Sequence, residues 1–292
     1  MTDPTPASGP VSTADVVALG LAASGIKQIF AYPGDPIIEL MERARVHEID
    51  VVLARREGTA AFMAEGLAQA TGQVGVCLST LGPGSSAMVN GVAAATVDRV
   101  PMLALSGQIE SSREQFFTHQ VIDHKLMFTP ITKWAGRIEP GSAATTLRKA
   151  LATATAERPG AVHLTIAGDV SAQQATDADF VPPPMDAVVR TFGVRGSGDP
   201  VRMIEAARRP VILAGIGAAR AGATDALVAF AERASIPVVV APMAKGVFPE
   251  DHELFAGVLD MACNQVLWQL LGDADLIITA GFDAVELIKP WS

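Results

Sequence analysis

Glu57 and the Gly82-Pro83-Gly84 turn are the groups whose types and setting suit them to chemistry. An apolar run from Val51 to Ala54 gives way to Arg55, Arg56 and Glu57, and a small-residue helical pattern then runs until Thr71 and Gly72 stop it. A second apolar run, Val74 to Thr80, leads into the Gly-Pro-Gly turn, after which Ser85 or Ser86 is expected to N-cap another helix. Two strands with helical crossovers predict parallel neighbours in one sheet. Ligands of such sheets bind at the carboxyl ends of the strands, where Glu57 and the turn both fall. Followed by Ala60, Ala61 and Met63, Glu57 is expected to be poorly solvated, which raises a carboxyl pKa and suits it to donate a proton at neutral pH. The alternative is an ion pair with Arg55 or Arg56 that holds the strand end. In the turn, absent side chains let backbone approach a flat ring closely, although one such tripeptide is also ordinary turn chemistry.

The elements that must position these groups can be taken in order. Ser12 or Thr13 caps a helix that Gly25 ends; a strand, Lys27 to Tyr32, runs into Pro33-Gly34-Asp35; a helix from Ile37 crosses to the strand before Glu57. Asp35 either orients a polar substrate or caps the helix ahead of Pro36. A strand ending near Gly107 opens a long polar loop through His119, Gln120 and His124. His119 and His124 lack a third nearby ligand, so a zinc site is not expected. A further helix and strand close a first domain, residues 12–170; Pro182 to Pro184 mark a linker, 171–197; and helix-strand repeats form a second domain, 198–292. The glycines at 215, 217 and 222 miss the dinucleotide spacing, and no acidic residue ends the next strand, Val238 to Pro242, which argues against an NAD site. The fold class is α/β with parallel sheets, the second domain stopping after four clear strands.

Composition sets the outer limits. With 49% hydrophobic, 18% charged and 5% aromatic residues, the chain reads as globular, with a core of closely approaching small side chains. A net charge of -9 and a pI near 5.0 argue against nucleic acid or an anionic membrane as partner. Cys77 and Cys263 both lie in apolar segments and read as buried free thiols of a reducing compartment. The opening Met1 to Pro10 lacks a basic end and an apolar core, and no apolar run approaches the roughly 18 residues of a membrane span, so a cytoplasmic protein is expected.

Two stretches, Arg55 to Val76 (RREGTAAFMAEGLAQATGQVGV) and Ser79 to Gln108 (STLGPGSSAMVNGVAAATVDRVPMLALSGQ), resemble the pyrimidine-binding domain of thiamine-diphosphate enzymes of the acetohydroxyacid synthase, pyruvate oxidase and benzaldehyde lyase group. The resemblance extends over nearly the whole chain and identifies residues 198–292 as part of the family's Rossmann-like central domain. It implies that Glu57 hydrogen-bonds the cofactor's pyrimidine, shifting it to the imino tautomer that removes the thiazolium proton. It further implies that Pro33, Gly34, Gly82, Pro83, Gly84 and Asn90 line the cofactor, and that Asp35, His119 and Gln120 face the substrate. The asparagine that the family places shortly after its glycine turn is Ala87 here, with Asn90 further along. His119 and Gln120 stand where the synthases carry Phe-Gln; the glutamine amide would hold a substrate carbonyl or carboxylate, and His119 would act as acid, base or donor. The central domain holds FAD in some members, ADP in others and nothing in several. The family's magnesium and diphosphate motif, Gly-Asp-Gly followed by asparagine, does not occur in these residues, so Mg2+ and diphosphate ligands are expected from missing sequence or another chain, and the chain is expected to be a fragment. The implied activity is that of a decarboxylase or carboligase on a small 2-oxo acid, working as a homodimer or homotetramer. Two alternatives remain: a noncatalytic pyrimidine-domain subunit, and an acyl-CoA lyase of the oxalyl type.

Overall fold

The computed structural model describes residues 11–116, 119–184, 198–259 and 265–287, and the chain divides into two compact units, Met1–Val188 and Val189–Ser292. Cys263 and residues 185–197 of the expected linker lie outside the described residues.

In the first unit α1 (Thr13–Ala23), β1 (Gln28–Ala31), α2 (Ile38–Val46), β2 (Asp50–Leu53), α3 (Glu57–Thr71) and β3 (Gly75–Ser79) come first. They are followed by α4 (Pro83–Ala87), α5 (Val89–Val97), β4 (Met102–Gln108), α6 (His124–Phe128), β5 (Trp134–Arg137), α7 (Ala143–Thr155), β6 (Ala161–Ala167) and α8 (Gly168–Ala172). The strands pair in parallel in the order β2-β1-β3-β4-β6-β5. β3, β4 and β6 are buried along their whole length, as expected of central strands covered on both faces. One apolar cluster unites α1, α2 and α7 on one face of the sheet; the other joins α3 and α5 on the opposite face.

The sheet corrects one expectation. β2 and β3 share a parallel sheet but are not neighbours, because β1 lies between them. The chain adds β2 on one side of β1 and β3 on the other, so α2 and α3 cover opposite faces, and the order reverses between β1 and β3. Local chemistry sets the helix ends. Ser12 accepts the Asp15 N–H at 3.1 Å at the start of α1, and Gly72, at φ 72°, ends α3 by donating to Ala68 O. Neither Ser85 nor Ser86 is an N-cap: α4 starts from Gly82, with Pro83 in its first turn, and Ser85 turns inward. Of the expected linker, residues 171 to 180 pack on the first unit: Thr13 N–H donates to Gln173 O, Ala175 N–H to Val11 O and Ala144 N–H to Asp177 O, while Phe180 lies against the core.

The second unit contains α9 (Pro200–Ala206), β7 (Pro210–Ala214), α10 (Ile216–Arg220), α11 (Thr224–Ala234), β8 (Val238–Val240), β9 (Phe255–Val258), α12 (Gln265–Asp273) and β10 (Leu276–Ala280). Its sheet, again parallel, runs β10-β7-β8-β9. It has its own core, in which Phe248, Ile212 and Val238 are fully buried.

Candidate functional site at the carboxyl edge of the first sheet

The reversal between β1 and β3 creates a crevice at the carboxyl edge, the place where sheets of this topology take ligands. Three connections meet there. β1 runs into Tyr32-Pro33-Gly34, β2 into Glu57 at the first turn of α3, and β3 into Thr80 and the 82–84 turn. Glu57 belongs to an edge connection, yet α3 leans back over β1 and β3 and carries it to the crevice. A methyl group on Gly84 would stand 2.7 Å from Glu57 Oε1 and 2.6 Å from the Thr80 methyl, and one on Gly34 would collide with Thr80. Glycine at 84 therefore lets the turn backbone pack directly against the carboxylate, with no room for a side chain between them. Glu57 is half-buried, and among the described residues its carboxylate makes neither a hydrogen bond nor an ion pair; Arg55 and Arg56 are exposed and do not reach it. The ion-pair reading of Glu57 is thus overturned.

Below the turn lies a polar network that sequence reasoning missed. Ser106 Oγ is 2.8 Å from Ser85 Oγ, 3.1 Å from Ser79 Oγ and 2.8 Å from His163 Nε2, all of them buried. Phe128 stacks on the His163 ring at 3.8 Å. His124, treated in the sequence only as half of a failed zinc pair, accepts the Gly82 N–H on Nε2 at 3.3 Å and places Nδ1 3.5 Å from Thr165 Oγ1. Burial pushes the His124 imidazole down to about 4 and holds His163 well below the ordinary histidine range, so both rings are neutral. A neutral His124 keeps the lone pair that the Gly82 amide needs. One signal was available: Ser79 and Ser106 are register partners on adjacent strands, a paired polar position near the carboxyl end of otherwise apolar runs.

The long loop after β4 is tied down at both ends. Gln108, buried, donates to Ile122 O at 3.2 Å; Ser111 N–H donates to Asp169 Oδ1 at 3.0 Å; and Arg137 bonds Glu114 at 2.7 Å. Gln120, at φ 60°, sets its carbonyl against Gly82, which itself has φ 53° and no room for a side chain. The structure thus brings together Glu57, Gly34, Gly82, Gly84 and the Gln120 backbone. It leaves Pro33, Asp35, Pro83, Asn90, His119 and the Gln120 side chain exposed, Asn90 on the outside of α5. Asp35 opens a 3-10 turn without capping it, so its capping alternative is not realised. Cys77 is buried, and burial pushes its thiol up to about 12. Among the described residues no group of three or more His, Cys, Asp or Glu could hold a metal ion, and no helix is long and apolar enough to cross a membrane.

Comparison with known proteins bears on this geometry. Residues 11–127 match the family model described as thiamine pyrophosphate enzyme, N-terminal TPP binding domain, and residues 199–291 match the one described as thiamine pyrophosphate enzyme, central domain. Similar proteins include a probable acetolactate synthase large subunit of Methanocaldococcus jannaschii, 35% identical over 275 residues that cover 92% of this chain and 46% of the relative. The acetolactate synthase isozyme 3 large subunit of Escherichia coli is 32% identical over 279 residues, 93% of this chain and 48% of its own length. A probable 2-ketoarginine decarboxylase of Pseudomonas aeruginosa is 31% identical over 273 residues, 91% of this chain and 48% of its own. The chain spans about half the length of the curated relatives it matches.

Proposed function

Since the chain belongs to the thiamine pyrophosphate enzymes, with matches to both their N-terminal and central domains, we propose that its first unit holds the pyrimidine end of thiamine diphosphate in the crevice between β1 and β3. On this reading the chain is the amino-terminal part of a decarboxylase or carboligase, acetolactate synthase-like, acting on a small 2-oxo acid. The supporting observation is the convergence on that crevice of an unpartnered, half-buried carboxylate, Glu57, and a glycine turn whose backbone packs directly beside it at Gly84. The residues fit the group: the turn presents backbone and no side chain at Gly82 and Gly84, and beside it stands a carboxylate with free acceptor capacity for a ring nitrogen.

Bound there, thiamine diphosphate supplies the carbanion chemistry. The chain's own residues bind, orient and move one proton. Glu57 exchanges a proton with a pyrimidine ring nitrogen; the 82–84 turn, latched by His124 through the Gly82 amide, sets how closely the ring approaches. Gln120 and His119, on the exposed rim, and Asp35, after β1, form the polar side that a 2-oxo acid would meet. Pro33 and Gly34 follow β1 at the crevice, while Asn90, on the outside of α5, stands apart from the set. Mg2+ and the diphosphate are held by residues other than those described here, across a homodimer or homotetramer interface, in a cytoplasmic protein.

The test is Glu57→Gln in the full-length protein, followed by deuterium exchange at the thiazolium C2 carbon of the bound cofactor. The expected outcome is exchange slowed at least about a hundredfold, the scale of a lost general acid-base group. Exchange at the wild-type rate would overturn the assignment. Ala87, in place of the family's asparagine, favours the noncatalytic subunit as a second reading; that reading gains if wild type and variant both exchange only at the rate of free cofactor.

A further inference from the structure

The second sheet also reverses its strand order. The chain runs outward from β7 to β8 and β9, then returns to place β10 on the far side of β7. In sheets of this order a dinucleotide lies at the reversal, with its phosphates against the turn that follows the first strand. Here that turn is Gly215-Ile216-Gly217, between β7 and α10.

All three amides of the turn are already engaged. Gly215 N–H donates to Ala280 O at 2.9 Å, Ile216 N–H to Glu286 Oε2 at 2.9 Å, and Gly217 N–H to Gly281 O at 2.8 Å. The other oxygen of Glu286 accepts the Asp283 N–H at 2.9 Å, while Asp283 accepts the Val285 N–H, so the segment after β10 is a closed capping box. Glu286 is only 5% exposed. Its carboxylate and the Phe282 backbone fill the place where a Gly215 side chain would be, and a methyl group on Gly217 would stand 2.8 Å from Gly281 O. The glycines that elsewhere admit a pyrophosphate admit the protein's own chain here. Burial raises the Glu286 carboxyl, and the donated amides of Asp283 and Ile216 counter that rise. A phosphate in this place would lose its backbone donors and face a buried carboxylate at close range, a repulsion that low local polarity strengthens.

We propose that the dinucleotide crevice of the second unit is closed by the protein's own Glu286, and that this unit binds neither FAD nor ADP. The carboxylate occupies the anion position that a nucleotide diphosphate would take, and the central unit works as a structural module. The family-implied nucleotide and the residues present do not fit one another. This inference stands on the second unit alone, so it holds or falls independently of the role given to Glu57.

The experiment has two parts, both on the whole chain. In the first, FAD and ADP are titrated calorimetrically to about 1 mM, where even a weak site of that affinity is half filled. The expected result is no saturable binding; one-to-one binding of either nucleotide would overturn the proposal. In the second, amide hydrogen exchange is followed at Ile216 and Asp283. Both are expected to be protected in the wild type and to exchange at least about tenfold faster in Glu286→Ala, with β7 unaffected, since one lost hydrogen bond is worth about that factor. If the variant does not fold, the wild type alone decides: an Ile216 amide exchanging at the rate of an open loop would contradict the closure.

Discussion

His124 and His163 make the first unit sensitive to acid, and the sign follows from the direction of their shifts. Burial lowers the folded-state pKa of His124 from 6.5 to about 4. The unfolded chain therefore binds more protons between those values, so the stabilisation is complete above 6.5 and is lost as the pH falls toward 4. By pH 5 the loss from His124 is on the order of 2 kcal/mol, with His163 adding in the same direction. Glu65 acts oppositely. Burial, then the charge of Asp98 and a hydrogen bond to it, raises its carboxyl to about 6, so its contribution falls as the pH rises from 4.5 through that value. Urea unfolding of wild type and His124→Gln at pH 7.5 and 5 separates the two, because the Glu65 contribution is common to both proteins. The variant is expected to lose about 2 kcal/mol less than wild type over that interval; equal losses would show that His124 does not titrate on unfolding. None of this was visible in the sequence, where a lone histidine in the strand Ala161–Ala167 or in a polar loop carries no mark of its depth.

At the scale of elements, the packing of α3 against α5 governs where Glu57 sits. Gly91 on α5 meets α3 so closely that a methyl group there would lie 2.6 Å from Ala61 Cβ and 3.0 Å from the Ala61 carbonyl carbon. Gly66, on the same α3, has nothing within 4 Å. The two glycines are expected to respond in opposite senses. Gly91→Val should cost about 1–3 kcal/mol by forcing the helices apart, and Gly66→Ala should add about 0.5–1 kcal/mol by restricting the unfolded chain and favouring the helix; denaturant midpoints of the two variants check both. Sequence periodicity made most elements of the first unit legible, because β3, β4 and β6 are nearly continuous apolar runs and their helices carry small-residue faces. It failed at α6 and β5, inside the stretch taken as one loop. β5 is a four-residue edge strand with Gly136 in it, and α6 is a five-residue turn capped by Asp123, both too short for a period to show. Neighbour relations also escaped, since strand adjacency depends on which face each crossover helix covers, and local pattern does not carry that.

Over the whole molecule, the described residues build two parallel sheets, each with its own core and each with a reversal of strand order beside its first strand, between β1 and β3 and between β7 and β10. The sequence announced both places by a glycine turn, and at that level they look alike. A glutamate reaches each of them: Glu57 from the connection after β2, and Glu286 from the segment after β10. Their reactivity should differ. Glu286 has both oxygens committed to backbone N–H groups and is shielded from solvent, whereas Glu57 is half open and carries no donor among the described residues. Treated with a water-soluble carbodiimide and an amine, the chain is expected to be modified at Glu57 and spared at Glu286, as peptide mass mapping would read; labelling of Glu286 at a comparable rate would show that its turn opens. On the two proposals together, the same side chain is a reagent in one crevice and a plug in the other, and what separates them is whether the chain has already supplied the partner.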